Sequence, residues 1–145
     1  MDYRADDAFG MMLMRESSCT ELHPQTMGSA GIDLPAAENA VVEYGKITIV
    51  PTKIYSVMPR GFCGLVCSRS GLAAKYGLMV VNAPGVIDSD YRYEIQVILT
   101  KVKDDGIPHI IETGDHIAQL IFVPIATSDT PNLPERTGGL GSTGS

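Results

Sequence analysis

Along residues 94–102 apolar and polar positions alternate, with Ile95, Val97 and Leu99 on one parity and Glu94, Gln96 and Ile98 on the other. A period of two is the pattern of a strand with one face in a core and the other partly wetted. Short runs rich in β-branched residues at 46–50, 54–58, 61–67, 78–81 and 117–125 predict further strands. Fifteen glycines and nine prolines punctuate the chain, as expected of many short strands joined by turns. Only Ser70–Tyr76 reads as a helix, because Leu72, Ala73, Ala74 and Lys75 are good helix formers and Gly77 stands where a left-handed C-terminal cap is wanted. The expected class is all-β, a sandwich, jelly roll or closed barrel, with one short helix. From Thr127 onward, Pro131, Pro134, Gly138, Gly139, Gly141 and Gly144 leave little to pack, which predicts a flexible glycine-rich tail.

Length narrows this picture to one domain over residues 1–145, with about 1–20 as an extension or first strand and about 127–145 as the tail. At 44% hydrophobic residues, a core needs no disulfides. Eleven Lys and Arg against 17 Asp and Glu leave a net charge of −6. That balance gives no broad basic face for a nucleic acid polymer, although a single nucleotide remains compatible. Cys19, Cys63 and Cys67 lack CxxC spacing, and His23, His109 and His116 are scattered, so no protein-only zinc site is expected. The acidic N-terminus lacks the basic residues of a targeting peptide, and Met11-Met12-Leu13-Met14 is too short to span a bilayer. An intracellular, soluble protein with no membrane partner is the expectation.

Five segments carry candidate chemistry. Gly28-Ser29-Ala30-Gly31-Ile32-Asp33-Leu34 delivers one carboxylate into a strand, either to a site or to nearby backbone amides. In Cys67-Ser68-Arg69-Ser70-Gly71-Leu72-Ala73 a strand ends at a hydroxyl and guanidinium pair beside a helix start. That is a plausible phosphate cradle, or else a serine N-cap next to a surface arginine. It lacks the spacing of a P-loop.

The third segment, Asn82 to Ile95, loads a turn with Asp88, Asp90, Tyr91, Tyr93 and Glu94. An aromatic beside a carboxylate suits a base-reading pocket with a water activator, and an acidic hairpin turn is the plainer reading. In Gly114-Asp115-His116-Ile117-Ala118-Gln119-Leu120-Ile121-Phe122, periodicity puts Ile117, Gln119 and Ile121 on one face, with Gln119 at a strand margin or a site. Finally, the run from Arg136 to Ser145 offers glycine backbone, a guanidinium and hydroxyls to a phosphate, or is simply a loose terminus.

In order and spacing these five segments resemble the motifs of the trimeric dUTPase family, from about Gly28 to Ser145. The resemblance implies a jelly-roll homotrimer whose sites are shared between subunits, with the tail donated across. It also implies hydrolysis of dUTP to dUMP and pyrophosphate, which keeps uracil out of DNA and supplies dUMP. Asp88 matches the general base that deprotonates water attacking the α-phosphorus, with Asp33 and Gln119 as further members of the chemical centre. Arg69, Ser70 and Gly71 match the phosphate-binding segment. Asn82, Gly85, Val86, Ile87, Tyr91 and Glu94 match the nucleoside pocket, where Asn82 reads the uracil edge and Tyr91 lies under the deoxyribose. Arg136, Gly139, Leu140, Gly141, Ser142 and Thr143 match the closing tail. The implied cofactor is Mg2+, held mainly by substrate phosphates and water and not by direct protein ligands. Asp88 and the Arg69 loop are expected to share one triphosphate.

Two positions depart from the family pattern. Tyr93 stands where glycine is usual, at a cost of about 1–3 kcal/mol if that backbone needs a positive φ. Leu140 stands where a phenylalanine stacks on the base. These departures sustain an alternative, a catalytically weakened dUTPase-fold protein acting as a binding or regulatory module. The related dCTP deaminase branch is a third reading, disfavoured by Tyr91 and the glycine-rich tail.

Overall fold

A computed structural model describes residues 12–15, 22–126 and 133–140. Eleven strands and one helix are assigned among them. The first is β1 (Met12–Arg15), followed by β2 (Ile32–Pro35), β3 (Ala40–Val42), β4 (Ile47–Pro51), β5 (Ile54–Val57) and β6 (Phe62–Cys67). Helix α1 (Ser70–Tyr76) precedes β7 (Leu78–Val80), β8 (Gly85–Ile87), β9 (Gln96–Lys101), β10 (His109–Ile111) and β11 (His116–Pro124).

The strand pairs are antiparallel and mostly distant in sequence. One sheet has the order β2-β11-β6-β8 and another β4-β9-β7, while β1 pairs with β5 and β10 with β3. This is the jelly roll that the resemblance implies. Leu34, Val50, Ile54, Val97, Leu99, Ile111 and Leu120 are fully buried where the sheets close on one another. Each such side chain contributes about 1.5–3 kcal/mol by leaving water.

The alternation read in 94–102 holds. Ile95, Val97 and Leu99 are fully buried, while Gln96 and Ile98 face outward. Strand β9 starts at Gln96, later than the sequence suggests, because Glu94 has another task. Its Oε1 accepts the backbone N–H of Thr52 at 3.1 Å and of Lys53 at 3.2 Å, in the turn from β4 to β5. Lys53 there has φ 53°, the one left-handed non-glycine residue among those described. Two hydrogen bonds to one carboxylate hold a backbone shape that costs an L-residue about 1–2 kcal/mol.

Helix α1 has the predicted bounds, and Gly77 closes it at φ 65° with its N–H directed to Ala73 and Leu72 carbonyls. A Cβ at Gly77 would lie 2.7 Å from the Lys103 backbone nitrogen, so that glycine is required twice over. Neither serine caps the start. Arg69 occupies the N-cap position without a side-chain cap bond, and Ser68 Oγ instead accepts the Val80 N–H at 2.9 Å.

Strand β11 departs from simple periodicity. A register shift between His116 and Ala118 buries both Ile117 and Ala118, which separates Ile117 from the face carrying Gln119. The expectation that these two share a face is therefore corrected by the bulge. The short strands β3, β8 and β10 were not distinguished from loop by their sequence.

Candidate functional site

Strand β8 pairs with β6 and ends at Ile87, just before Asp88, where a turn begins with the Tyr91 N–H donating to the Asp88 carbonyl at 3.1 Å. The Tyr91 hydroxyl donates to the Glu94 carbonyl at 2.9 Å, so the ring is fixed at both ends. Burial raises the Tyr91 phenol above its ordinary value, against the opposing pull of Arg136. Gly64 on β6 matters here, since a Cβ would come within 3.3 Å of the Ile87 Cβ. Asn82 stands beside Gly85, where a Cβ would meet its Nδ2 at 3.1 Å.

These residues enclose one cavity. Asn82, Gly85, Val86, Ile87, Asp88 and Tyr91 line it, with Gln96 and Ile98 from the outer face of β9, Val66 from β6, and Arg136, Gly139 and Leu140 from the tail. Its volume of about 200 Å³ falls below the roughly 300–1,000 Å³ of a typical small-molecule pocket. Sequence reasoning missed Val66, Gln96 and Ile98. The outward parity of β9 was the available signal for the last two.

Arg136 joins the tail to the turn. Its guanidinium meets the Asp88 carboxylate through Nη2 and donates from Nε to Asp90 Oδ1 at 3.0 Å and from Nη1 to the Gly138 carbonyl at 3.2 Å. It also sits 5.6 Å from the centre of the Tyr91 ring. The hydrogen bond to Asp90 is the largest cause raising the Arg136 pKa, with Asp88 adding to it. Cys63 is buried near this wall, and burial, then the Asp88 charge, pushes its thiol pKa up. Through these contacts Arg136 ties the described part of the tail to the Asp88–Asp90 turn. Gly141, Ser142 and Thr143 lie outside the described residues.

Glu94, read as a substrate contact, is not among the lining residues and serves the β4–β5 turn instead. Tyr93 carries no positive φ and incurs no such strain. Its ring packs edge-on against Tyr91 at 5.7 Å and within 3.5 Å of where a Gly139 Cβ would be.

A second cluster forms where β2, β11 and the β6–α1 junction meet. In register, Gln119 stands between Asp33 on β2 and Cys67 on β6. Arg69 Nε pairs with Asp33 Oδ1 at 3.2 Å, and Arg69 Nη1 donates to the His116 carbonyl at 3.0 Å. His116 Nδ1 lies 3.2 Å from Asp33 Oδ2, and Gln119 Nε2 donates to the Ser68 carbonyl at 3.0 Å. Asp33 therefore meets side chains, not the backbone amides of the plainer reading. His116 was overlooked, although it sits in the same short segment as Gln119.

Asp33, Arg69, Ser70, Gly71 and Gln119 line a second, larger cavity of about 470 Å³ together with Leu72, Lys75 and Tyr76. Asp88 does not line it, so one chain does not bring the Arg69 loop and Asp88 into a common cavity. Among the described residues no three His, Cys, Asp or Glu side chains group to hold a metal ion. No helix among the described residues is long and apolar enough to cross a membrane.

A family model described as dUTPase matches residues 18–144. A deoxyuridine 5'-triphosphate nucleotidohydrolase of Leifsonia xyli subsp. xyli is 44% identical over 128 residues, which span 84% of this chain and 82% of that protein. The solved structure of a dUTPase from Streptococcus mutans matches with a TM-score of 0.69 at 29% identity, over 76% of this chain and 89% of the other. A mutant dUTPase from phage phi11 of S. aureus, described with the coordination of a structural Mg(II) ion, shares the fold at a TM-score of 0.71 and 22% identity, over 88% of this chain and 99% of that one.

Proposed function

This chain belongs to the dUTPase family, and from that premise we propose that it is a hydrolase of a phosphoric anhydride bond that splits dUTP into dUMP and pyrophosphate. The supporting observation is the single cavity lined by Asn82, Asp88 and Tyr91. An amide that can pair with a base edge, a fixed ring for a sugar and a carboxylate for water stand on one wall.

In the proposed reaction, Asp88 takes a proton from a water whose oxygen bonds to the α-phosphorus. The bond from that phosphorus to the bridging oxygen breaks, and pyrophosphate leaves with the electron pair. In the structure Arg136 pairs with Asp88. Substrate phosphates compete for the guanidinium and release the carboxylate to act as base. Asn82 reads the uracil edge, and Tyr91 under the deoxyribose excludes a 2′-hydroxyl. Arg69, Ser70, Gly71 and Gln119 hold the phosphates, and Asp33 orients Arg69. Magnesium arriving on the triphosphate supplies charge neutralisation there.

The two cavities of one chain are joined in this reading by a homotrimer, in which the Arg69 cluster of one subunit faces the Asp88 cavity of another. Such sharing accounts for the separation of the clusters within a chain. Of the two departures behind a non-catalytic reading, Tyr93 loses its force because its backbone is unstrained. The deciding experiment incubates dUTP, dTTP, UTP and dCTP with the protein, with and without magnesium, and assays pyrophosphate. Release from dUTP alone, dependent on magnesium, is expected. No release from dUTP, or equal release from UTP, overturns the proposal.

A further inference from the structure

Lys75 lines the second cavity, and among the described residues no carboxylate pairs with its ammonium. The other cation on that wall, Arg69, is paired with Asp33, whose second oxygen also faces His116. A paired guanidinium and carboxylate bring almost no net charge to a bound anion. Lys75 has no ion-pair partner among the described residues, on a chain of net charge −6. Its Nζ stands 5.1 Å from the centre of the Tyr76 ring, which lines the same cavity. That ring is itself set 4.8 Å from the His109 ring. An aromatic face restricts where a flexible four-carbon stem puts its charge.

We propose that Lys75 is a further binding residue for the polyphosphate of the substrate, supplying the net positive charge that the Arg69–Asp33 pair does not. The proposal rests on the dUTP-hydrolase reading and extends it beyond Arg69, Ser70 and Gly71. Arg69 then gives directional hydrogen bonds, while Lys75 gives a point charge that follows the ligand's charge. The dependence on Lys75 should therefore grow with the number of phosphates.

The test compares wild type, Lys75→Gln and Lys75→Arg in calorimetric binding of dUMP and of α,β-imido-dUTP with magnesium, alongside kcat and KM for dUTP. Lys75 also lies in the last turn of α1, where a positive charge favours the helix terminus. Melting temperatures of the three proteins track that purely structural role. For Lys75→Gln, KM for dUTP and Kd for α,β-imido-dUTP should rise about three- to tenfold, the range of one solvent-accessible charge contact. That rise should shrink at higher salt, kcat should stay within about twofold, dUMP binding should not change, and Lys75→Arg should restore affinity. Unchanged affinity for α,β-imido-dUTP in Lys75→Gln overturns the proposal, as does an equal loss for dUMP. The binding arm stands whether or not turnover occurs, and pyrophosphate release from dUTP by wild type reports separately on the parent reading.

Discussion

The backbone of Gly31 runs so close to Gln119 that a Cβ on residue 31 would stand 2.1 Å from Gln119 Oε1. The same side chain holds the Ser68 carbonyl through Nε2, so this glycine seats the segment that carries Arg69. Gly31→Ala must push the amide away. Overpacking of this kind costs about 1–3 kcal/mol, and ångström-scale misplacement of binding groups costs up to about 100-fold. We predict a folded enzyme with kcat/KM reduced about 10- to 100-fold, measured by steady-state pyrophosphate release beside a thermal melt. Wild-type kinetics would show that Gln119 has no part in the site.

Asp88→Asn removes the proposed base and leaves the cavity's shape. Turnover should fall about 10²–10⁴-fold, while α,β-imido-dUTP still binds. Single-turnover hydrolysis and calorimetry separate the two effects. Retained turnover removes Asp88 from its assigned role.

Leu140 lines the first cavity and is 53% exposed. A phenylalanine at that position can stack on a base, an interaction worth roughly 1–3 kcal/mol in single-strand binders, and leucine keeps only part of it. Leu140→Phe should lower KM or raise kcat for dUTP. No change in either constant would mean that the tail does not cap the base.

Glu94→Ala tests a carboxylate whose work is structural. Losing the acceptor of the Thr52 and Lys53 amides should destabilise the fold by about 1–3 kcal/mol, read from the urea midpoint. KM for dUTP should stay close to wild type. A large KM effect at unchanged stability would return Glu94 to the nucleoside pocket.

His109 contributes a pH dependence. Burial lowers its pKa below the ordinary 6.5, with Asp115 opposing and Lys101 adding to the shift. The unfolded chain therefore takes up a proton near pH 6.5 that the folded chain resists. This contribution to stability is present above that value and is lost as the pH falls below it. His109→Phe keeps a ring against Tyr76 and cannot titrate. Its melting temperature should fall less than wild type's between about pH 7.5 and about pH 5.5, and parallel declines would remove His109 as a cause.

The sequence was most informative where local rules suffice. Helix α1 is delimited by its own helix formers and by Gly77, and β9 shows its burial in simple alternation. Strands β3, β8 and β10 were not read from the sequence; each pairs with a partner distant in the chain. Glu94 shows a related limit of local reading. Its position beside Tyr91 suggested a ligand, while its bonds run to a turn 41 and 42 residues away. The bulge at His116 re-phases β11 and defeats a count of two. The motif order pointed to the family and to most of the lining residues. It could not reveal that they divide between two cavities, since linear order carries no distance.

Strand β9 closes the hydrophobic interior with Val97 and Leu99 while Gln96 and Ile98 form part of the floor of the first cavity. Adjacent residues on a strand cannot shift independently, because moving one side chain inward carries its neighbours along. The core and the cavity floor consequently share one six-residue strand. If the first cavity takes the nucleotide as proposed, a change at Val97 or Leu99 reaches that floor through β9 unless the interior compensates.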